Sequence, residues 1–296
     1  MITKKRISWL YILETTFVDF IIVFVLGLSV YTYSMYVEHP LQIPSGITAF
    51  LGTAISILLS FKISQSYGRW WEARKIWGAI VNDSRSFVVQ MQSFIPHNYQ
   101  STIKIMAYRQ IAFCYALGQG LRGLNPMDNL DKLMAAKEVA PLNKYYNKPL
   151  AILQKNALDI KEIKEAGAID IFAQKQIDDT ITRLTASMGK AERIKNTVFP
   201  TTYRLNLHIS IYIFLICLTI TFTDISIYYG LPLVLIIGTL FFMLEGAAYN
   251  LQDPFENRPS DTAMTAIART IEINIKELLQ EDEIPDPLEE EGFYIM

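Results

Sequence analysis

Residues 46–77 read GITAFLGTAISILLSFKISQSYGRWWEARKIW. The stretch opens as an apolar run of membrane type and turns polar at Lys62. It closes on Trp70, Trp71 and Trp77 interleaved with Arg69, Arg74 and Lys75. This pattern predicts one helix that crosses a bilayer and leaves it, because Trp gathers at the headgroup level and Lys and Arg gather on the cytoplasmic side. Within the apolar part Thr53, Ile57 and Phe61 recur every four residues. On a helix they form one stripe with a rise of about 6 Å per step. The stripe either packs on a neighbouring helix, with Gly52, Ala54 and Ser56 permitting close approach, or lines a pore when the helix is repeated about an axis, giving apolar rings that gate by dewetting. Spacing alone leaves both readings open.

Working outward, the chain of 296 residues is 51% hydrophobic yet 19% charged, too charged for an all-membrane bundle and too apolar for a simple soluble domain. Membrane and soluble portions are expected to alternate. A net charge of −2 offers no basic surface for nucleic acid, and no such partner is expected. Cys114 falls in a segment read as cytoplasmic and Cys217 in an apolar run, so both read as small buried hydrophobes rather than a disulfide. The N-terminal Lys4, Lys5 and Arg6 resemble a signal peptide's basic region. Glu14 and Asp19 interrupt the apolar stretch that follows, and no small-residue cleavage motif appears, so the segment is expected to be retained.

The hydropathy predicts an all-α membrane protein with four spans, at about 17–37, 45–63, 205–222 and 228–249. The connectors Glu38–Pro44 and Thr223–Ser226 lack Lys and Arg, which places them outside and both termini in the cytoplasm. The organisation read from this is 1–66 with the first two spans, 67–204 as a cytosolic helical region, 205–250 with the last two spans, and a cytosolic 251–296. Asp19 is expected at the headgroup level. In the cytosolic region Ile103, Ala107, Ile111 and Cys114 make one apolar face with Arg109 and Gln110 off it. Gly118–Asp128 reads as a loop and Asp128–Val139 as a short helix. Helices over Lys148–Ala166 and Asp170–Lys195 part near Gly167. A last helix over Asp261–Leu279 carries the stripe Ile267, Ile271, Ile275 and Leu278, and an acidic tail follows Gln280.

The string Ser66-Tyr67-Gly68-Arg69-Trp70-Trp71-Glu72-Ala73-Arg74, followed by Trp77-Gly78, resembles the segment after the second membrane helix of the bestrophin family. Leu251-Gln252-Asp253-Pro254-Phe255-Glu256-Asn257 resembles the same family's Pro-Phe segment after the last one. The two blocks stand in the family's order and extend the resemblance over about residues 8–280. It implies a homopentameric ion channel with one axial pore, and so favours the pore reading of the stripe.

Carried over residue by residue, the resemblance puts the pore neck at Thr53, Ile57 and Phe61. Phe61 is exact in type, Ile57 is an apolar substitute, and Thr53 departs toward a wetter ring. Counting back from Pro200, a cytosolic aperture falls at Phe172 or its neighbour Ile171; a core aromatic is the competing reading. Asp170, Asp178 and Asp179 are candidate selectivity acids, although a solvated helix face explains them as well, and Lys161, Lys164 and Lys175 lie close by. Where animal members carry a calcium clasp, Glu256–Asp261 is interrupted by Arg258 and Pro259 and offers too few oxygens for six to eight ligands.

Arg69, Trp70, Trp71, Arg74 and Trp77 are expected as interfacial anchors, or as a clamp on the helices beneath. Asp253 reads as an Asx cap ending a helix. Glu245 inside a span is a functional candidate by default, with Arg204 or a headgroup as the ordinary explanation. His39, His97 and His208 make no metal spacing. Phosphate loops, Ser-His-Asp orderings and Cys-x-x-Cys pairs are absent. No enzyme and no cofactor are expected. The implied function is passive conduction of small monovalent ions, leaning to cations such as sodium as in the family's bacterial branch. An anion (chloride) channel and a non-conducting membrane scaffold are the alternatives. The expected partners are further copies of the chain, the lipid bilayer of a bacterial inner membrane, and the permeant ions.

Overall fold

The computed structural model describes residues 9–38, 41–197, 199–290 and 294–295. Lys4, Lys5, Arg6 and His39 lie outside the described residues. Helices α1 (Trp9–Tyr36), α2 (Ser45–Phe94), α3 (Gln100–Leu121), α4 (Ala136–Val139), α5 (Lys148–Glu165), α6 (Ile171–Asn196), α7 (Thr201–Thr221), α8 (Ile227–Gln252) and α9 (Met264–Leu278) follow in order. No strand forms among the described residues. Four of these helices are long and apolar enough to cross a membrane: α1, α2, α7 and α8. The protein is an integral membrane protein. The described residues form two compact units, one from 9–70 with 199–253, the other from Trp71–Thr197 with 254–290.

In the membrane unit, side chains mesh because lipid offers no hydrophobic gain on helix pairing, so contact geometry has to supply it. Val23, Gly27 and Tyr31 are buried at a spacing of four on α1. A Cβ on Gly230 of α8 would fall 1.7 Å from the Tyr31 hydroxyl, and one on Gly27 would fall 2.7 Å from Leu231. Glycine is therefore required at both crossings. The Tyr31 hydroxyl donates to the Phe222 carbonyl at 2.9 Å, satisfying an end group of α7. Leu207, Ile211, Phe214, Leu215 and Leu218 of α7 meet Ile55 and Leu59 of α2 and Val234 and Phe242 of α8 in one apolar cluster. The Thr48 and Thr221 hydroxyls lie 2.9 Å apart. Each is thereby paired inside the bundle.

In the other unit the core is built on α3. Arg109 and Gln110, expected off the apolar face of that helix, are buried along with it. The Arg109 guanidinium pairs with Glu138 and, at 2.6 Å, with Asp159, while Gln110 donates to the Ser84 hydroxyl at 2.9 Å. Local periodicity misplaced them because partners far along the chain cover them. The loop expected at Gly118–Asp128 also begins later, since α3 runs on to Leu121. A Cβ on Gly118 would sit 3.3 Å from Met264 and 3.6 Å from Trp77, so this glycine serves close packing rather than a turn. Asp128–Val139 is not one helix. Asn129 adopts a left-handed φ of 62°, which breaks the run into a 3-10 turn over Leu130–Lys132 and the short α4.

The parting at Gly167, with φ +74°, lies between α5 and α6 as expected. Helix α9 starts at Met264 rather than Asp261. The Asp261 carboxylate instead accepts the backbone N–H groups of Glu256 at 2.6 Å and Arg258 at 3.1 Å, shaping the turn ahead of the helix. Ile271 and Ile275 are fully buried, and Ile267 and Leu278 pack at the margin.

The buried pair Lys62–Glu245, at 2.9 Å with side chains 0% and 5% exposed, generates an asymmetric prediction. Replacing Glu245 by Leu strands Lys62 as an unpaired buried charge and costs about 3–5 kcal/mol. Lys62→Met costs less, because Arg204 remains 3.4 Å from Glu245. The double variant recovers most of the loss. Thermal unfolding of the three variants in detergent checks the order, and equal losses for the two single variants would contradict it.

Candidate functional site

Helix α2 presents two opposite faces in the membrane unit. Thr48, Ile55, Leu59, Lys62 and Ser66 are buried, a spacing of three, four and seven that keeps them on one side. Half a turn away Thr53, Ile57 and Phe61 are exposed, Ile57 at 53% and Phe61 at 61%. Ile57 and Phe61 stand outside the apolar cluster that α2 shares with α7 and α8, while Thr53 borders a groove whose other wall holds Phe214 and Phe241. Ser56, Ser60, Ser64 and Gln65 are exposed beside the stripe, as are the apolar Phe50 and Leu58. The exposed side of α1 is different, being formed by Phe17, Val18, Phe20, Ile21, Phe24 and Val25. Such a side suits hydrocarbon, whereas hydroxyls and an amide next to the Thr53 stripe suit a wetter neighbour. The Thr53 and Ser56 hydroxyls donate back to the carbonyls of Ala49 at 2.9 Å and Gly52 at 2.8 Å. Their donors are thus satisfied by the helix itself, leaving oxygen lone pairs outward.

Lys62 follows Phe61 directly and points the other way, onto Glu245 of α8. Sequence reasoning assigned Glu245 to Arg204 or a headgroup and did not identify Lys62 as its nearest partner. The available signal was a lone basic residue on the same stripe as Ile55 and Leu59, which only a carboxylate from another span can balance. Glu245 is also 4.0 Å from His208 Nδ1, and His208 Nε2 is 3.7 Å from Asp19 of α1. Asp19, expected among headgroups, accepts a hydrogen bond from the Tyr212 hydroxyl at 3.1 Å. The His208 ring stands edge-on to Tyr212 and packs on Phe242. The Arg204 guanidinium lies 3.8 Å over the Tyr249 ring. Charged side chains from α1, α2, α7 and α8 therefore form one contiguous cluster inside the bundle.

The anchors divide. Arg69 Nε donates to the Gln252 carbonyl at 2.8 Å and its terminal nitrogen lies 3.6 Å from Asp253. Asp253 is thus an ion-pair partner rather than the expected Asx cap; its other oxygen accepts from Gln252 at 2.9 Å. Trp70 is half-buried with its ring 5.9 Å from Tyr67, and Trp71 is 47% exposed. Arg74 is half-buried. Trp77 is fully buried in the core around α3, which fits the clamp expectation and not the interfacial anchor. Apolar side chains and Gly118 close over it, leaving no surface to meet an interface.

In the same unit Phe172 is 78% exposed and Ile171 58%, so Phe172 is not a core aromatic of its own chain. Asp170 is the N-cap of α6, its carboxylate accepting the Ala173 N–H at 2.7 Å. Lys175 and Asp179 share the exposed side of Phe172, one and two turns on. Asp178 is half-buried, and burial followed by the neighbouring Asp179 raises its carboxyl above the usual Asp range. The oxygens at the calcium-clasp position are already engaged. Glu256 pairs with Lys195 at 2.6 Å, Asp261 holds two backbone amides, and the Asn257 side-chain oxygen Oδ1 accepts from Arg122 at 3.3 Å. These residues do not fit a calcium site. Among the described residues no three His, Cys, Asp or Glu side chains converge as metal ligands.

Comparison with known proteins agrees with this arrangement. The family described as bacterial/fungal bestrophin protein matches residues 7–277. A voltage-dependent anion channel-forming protein of Mesorhizobium japonicum is 30% identical over 84% of this chain and 80% of its own length. The voltage-dependent anion channel-forming protein YneE of Escherichia coli is 29% identical over 80% of this chain and 77% of its own. Among solved structures, a bacterial bestrophin homologue from Klebsiella pneumoniae covers 90% of this chain and 99% of its own, with a TM-score of 0.84 at 24% identity. A long α2 with one buried and one exposed face, the Arg69–Asp253 link between the two signature segments, and a family match running through nearly the whole helical chain lead to one assignment: this chain belongs to the bacterial/fungal bestrophin family.

Proposed function

We propose that the chain is one subunit of a homopentameric channel that passively conducts small monovalent ions along an axis lined by Thr53, Ile57 and Phe61. The observation that carries this reading is the orientation of α2. The stripe is exposed on the side opposite the one its own chain buries, and toward the cytoplasmic end Ser60, Ser64 and Gln65 are exposed beside it, with the apolar Phe50 and Leu58 exposed along the rest. Five copies facing inward make stacked rings in which an ion sheds water without gaining ligands at Ile57 and Phe61, a barrier that opens by movement or wetting. Phe172, with Ile171 beside it, forms the second constriction. The channel resides in a bacterial inner membrane with both termini cytoplasmic, in keeping with connectors that lack Lys and Arg.

Selectivity for cations such as sodium is supported by Asp179, two turns from Phe172 on its exposed side, with Asp178 adjacent. Fivefold repetition turns one such carboxylate into a ring that concentrates cations. Conduction of anions such as chloride has a specific observation in its favour too: the relatives from Mesorhizobium and Escherichia carry anion-channel names, and Lys175 shares the same helix side.

Phe61→Ala widens one of the two apolar rings. It is expected to raise single-channel current several-fold in planar bilayers while the assembly keeps its size by native mass measurement. Loss of assembly with no gain in current would assign the stripe to a helix–helix seam and the protein to the scaffold reading. In a NaCl gradient the reversal potential is expected to move toward the sodium equilibrium potential, and Asp179→Asn to diminish the shift. A reversal toward chloride would keep the channel and replace the selectivity.

A further inference from the structure

The helical unit contains a cavity of about 320 Å³ that conduction does not use. Its walls come from Tyr115 and Gln119 of α3, Asp128 and Lys132 of the following turns, and Arg269 and Glu272 of α9. Two buried polar atoms there have no hydrogen-bond partner, the Gln119 carbonyl oxygen Oε1 and the Arg269 Nε. Neither orphan arises from an ambiguous placement. The Gln119 amide nitrogen donates to the Asp128 backbone carbonyl at 3.3 Å; that carbonyl can only accept, so the amide oxygen has to be the free end. The carboxylate nearest Arg269 is Glu272 at 3.6 Å. It is already served by the Tyr115 hydroxyl at 2.7 Å and the Lys276 ammonium at 3.1 Å. Burial, and then Glu272, raise the Tyr115 phenol against the opposing pull of the Arg269 guanidinium, and it stays a protonated donor to that carboxylate.

A buried donor and a buried acceptor left open on the same cavity call for an occupant with both complements. A simple anion would answer Arg269 and Lys132 but leave the Gln119 oxygen unpaired and face Asp128. A simple cation would do the reverse. The walls carry two basic and two acidic side chains, so a neutral zwitterion matches their charge. Leu133 and the Tyr115 ring supply an apolar wall for a side chain.

We propose that this cavity binds a free α-amino acid, its carboxylate on Arg269 and Lys132 and its ammonium on the Gln119 oxygen and Asp128. The site lies wholly within one chain's helical unit and is independent of which ion the channel passes.

The test uses the full-length protein in detergent, with thermal shift and calorimetric titration against each of the twenty common amino acids. Propionate and ethylamine serve as half-ligand controls. One or a few amino acids are expected to raise the Tm saturably, and neither control to match them. Arg269→Gln and Gln119→Leu are each expected to weaken binding at least tenfold, each read as a ligand-dependent shift against that variant's own ligand-free Tm. Three results would overturn the proposal: no amino acid acting at millimolar concentration, as for a cavity that only holds water; propionate acting as well as the best amino acid; or affinity surviving Gln119→Leu.

Discussion

An ammonium group inside a membrane bundle has to meet a counter-charge, and in this protein Lys62 meets Glu245 at 2.9 Å with both side chains out of solvent. The pair does more than neutralise charge. Because side-chain direction on a helix is locked to position along it, turning Lys62 inward turns Phe61, Ile57 and Thr53 outward. Rotating α2 to bury that stripe would pull Lys62 off Glu245 and leave two charges unpaired. The apolar contacts of Ile55 and Leu59 with α7 and α8 favour the same rotation, so packing and electrostatics agree on which side of the helix is offered to the outside of the chain.

Glu245 in turn is held by more than one neighbour. Arg204 approaches it at 3.4 Å and His208 at 4.0 Å, and His208 reaches on to Asp19. This links all four spanning helices through polar side chains, where lipid provides little incentive for apolar surfaces to associate. The glycines at positions 27 and 230 complement the polar links by letting α1 and α8 come close enough for Tyr31 to cap a carbonyl of the α7 turn. Shape fixes one pair of helices and charge ties the others to them.

Much of this was legible in the residues. Four spans, the helix pair around Gly167 and the long second helix follow from hydropathy and periodicity, which depend on neighbours a few residues away. The Thr53–Phe61 stripe was legible as a stripe, but its direction was not, since that depends on a partner 183 residues from Lys62. The same limit explains Arg109 and Gln110, which look like a polar helix side until Glu138, Asp159 and Ser84 are brought to them. It explains Trp77 as well. The motif around it signals a membrane boundary, while its indole is packed in the core under Gly118. The Asp253 carboxylate, read as a local cap, is drawn to Arg69 for the same reason.

The central claim is that the outward stripe of α2 lines the conduction path. It is tested most directly by thiol accessibility during current recording. Single cysteines at 53, 55, 57, 59 and 61 are introduced in a background in which Cys114 and Cys217 are replaced by Ala, and a charged, membrane-impermeant thiol reagent is applied to the open channel. Modification at 53, 57 and 61 should change the current, and the buried positions 55 and 59 should not respond. Current that is insensitive to reagent at 53, 57 and 61, or sensitive at 55 and 59, would contradict the account.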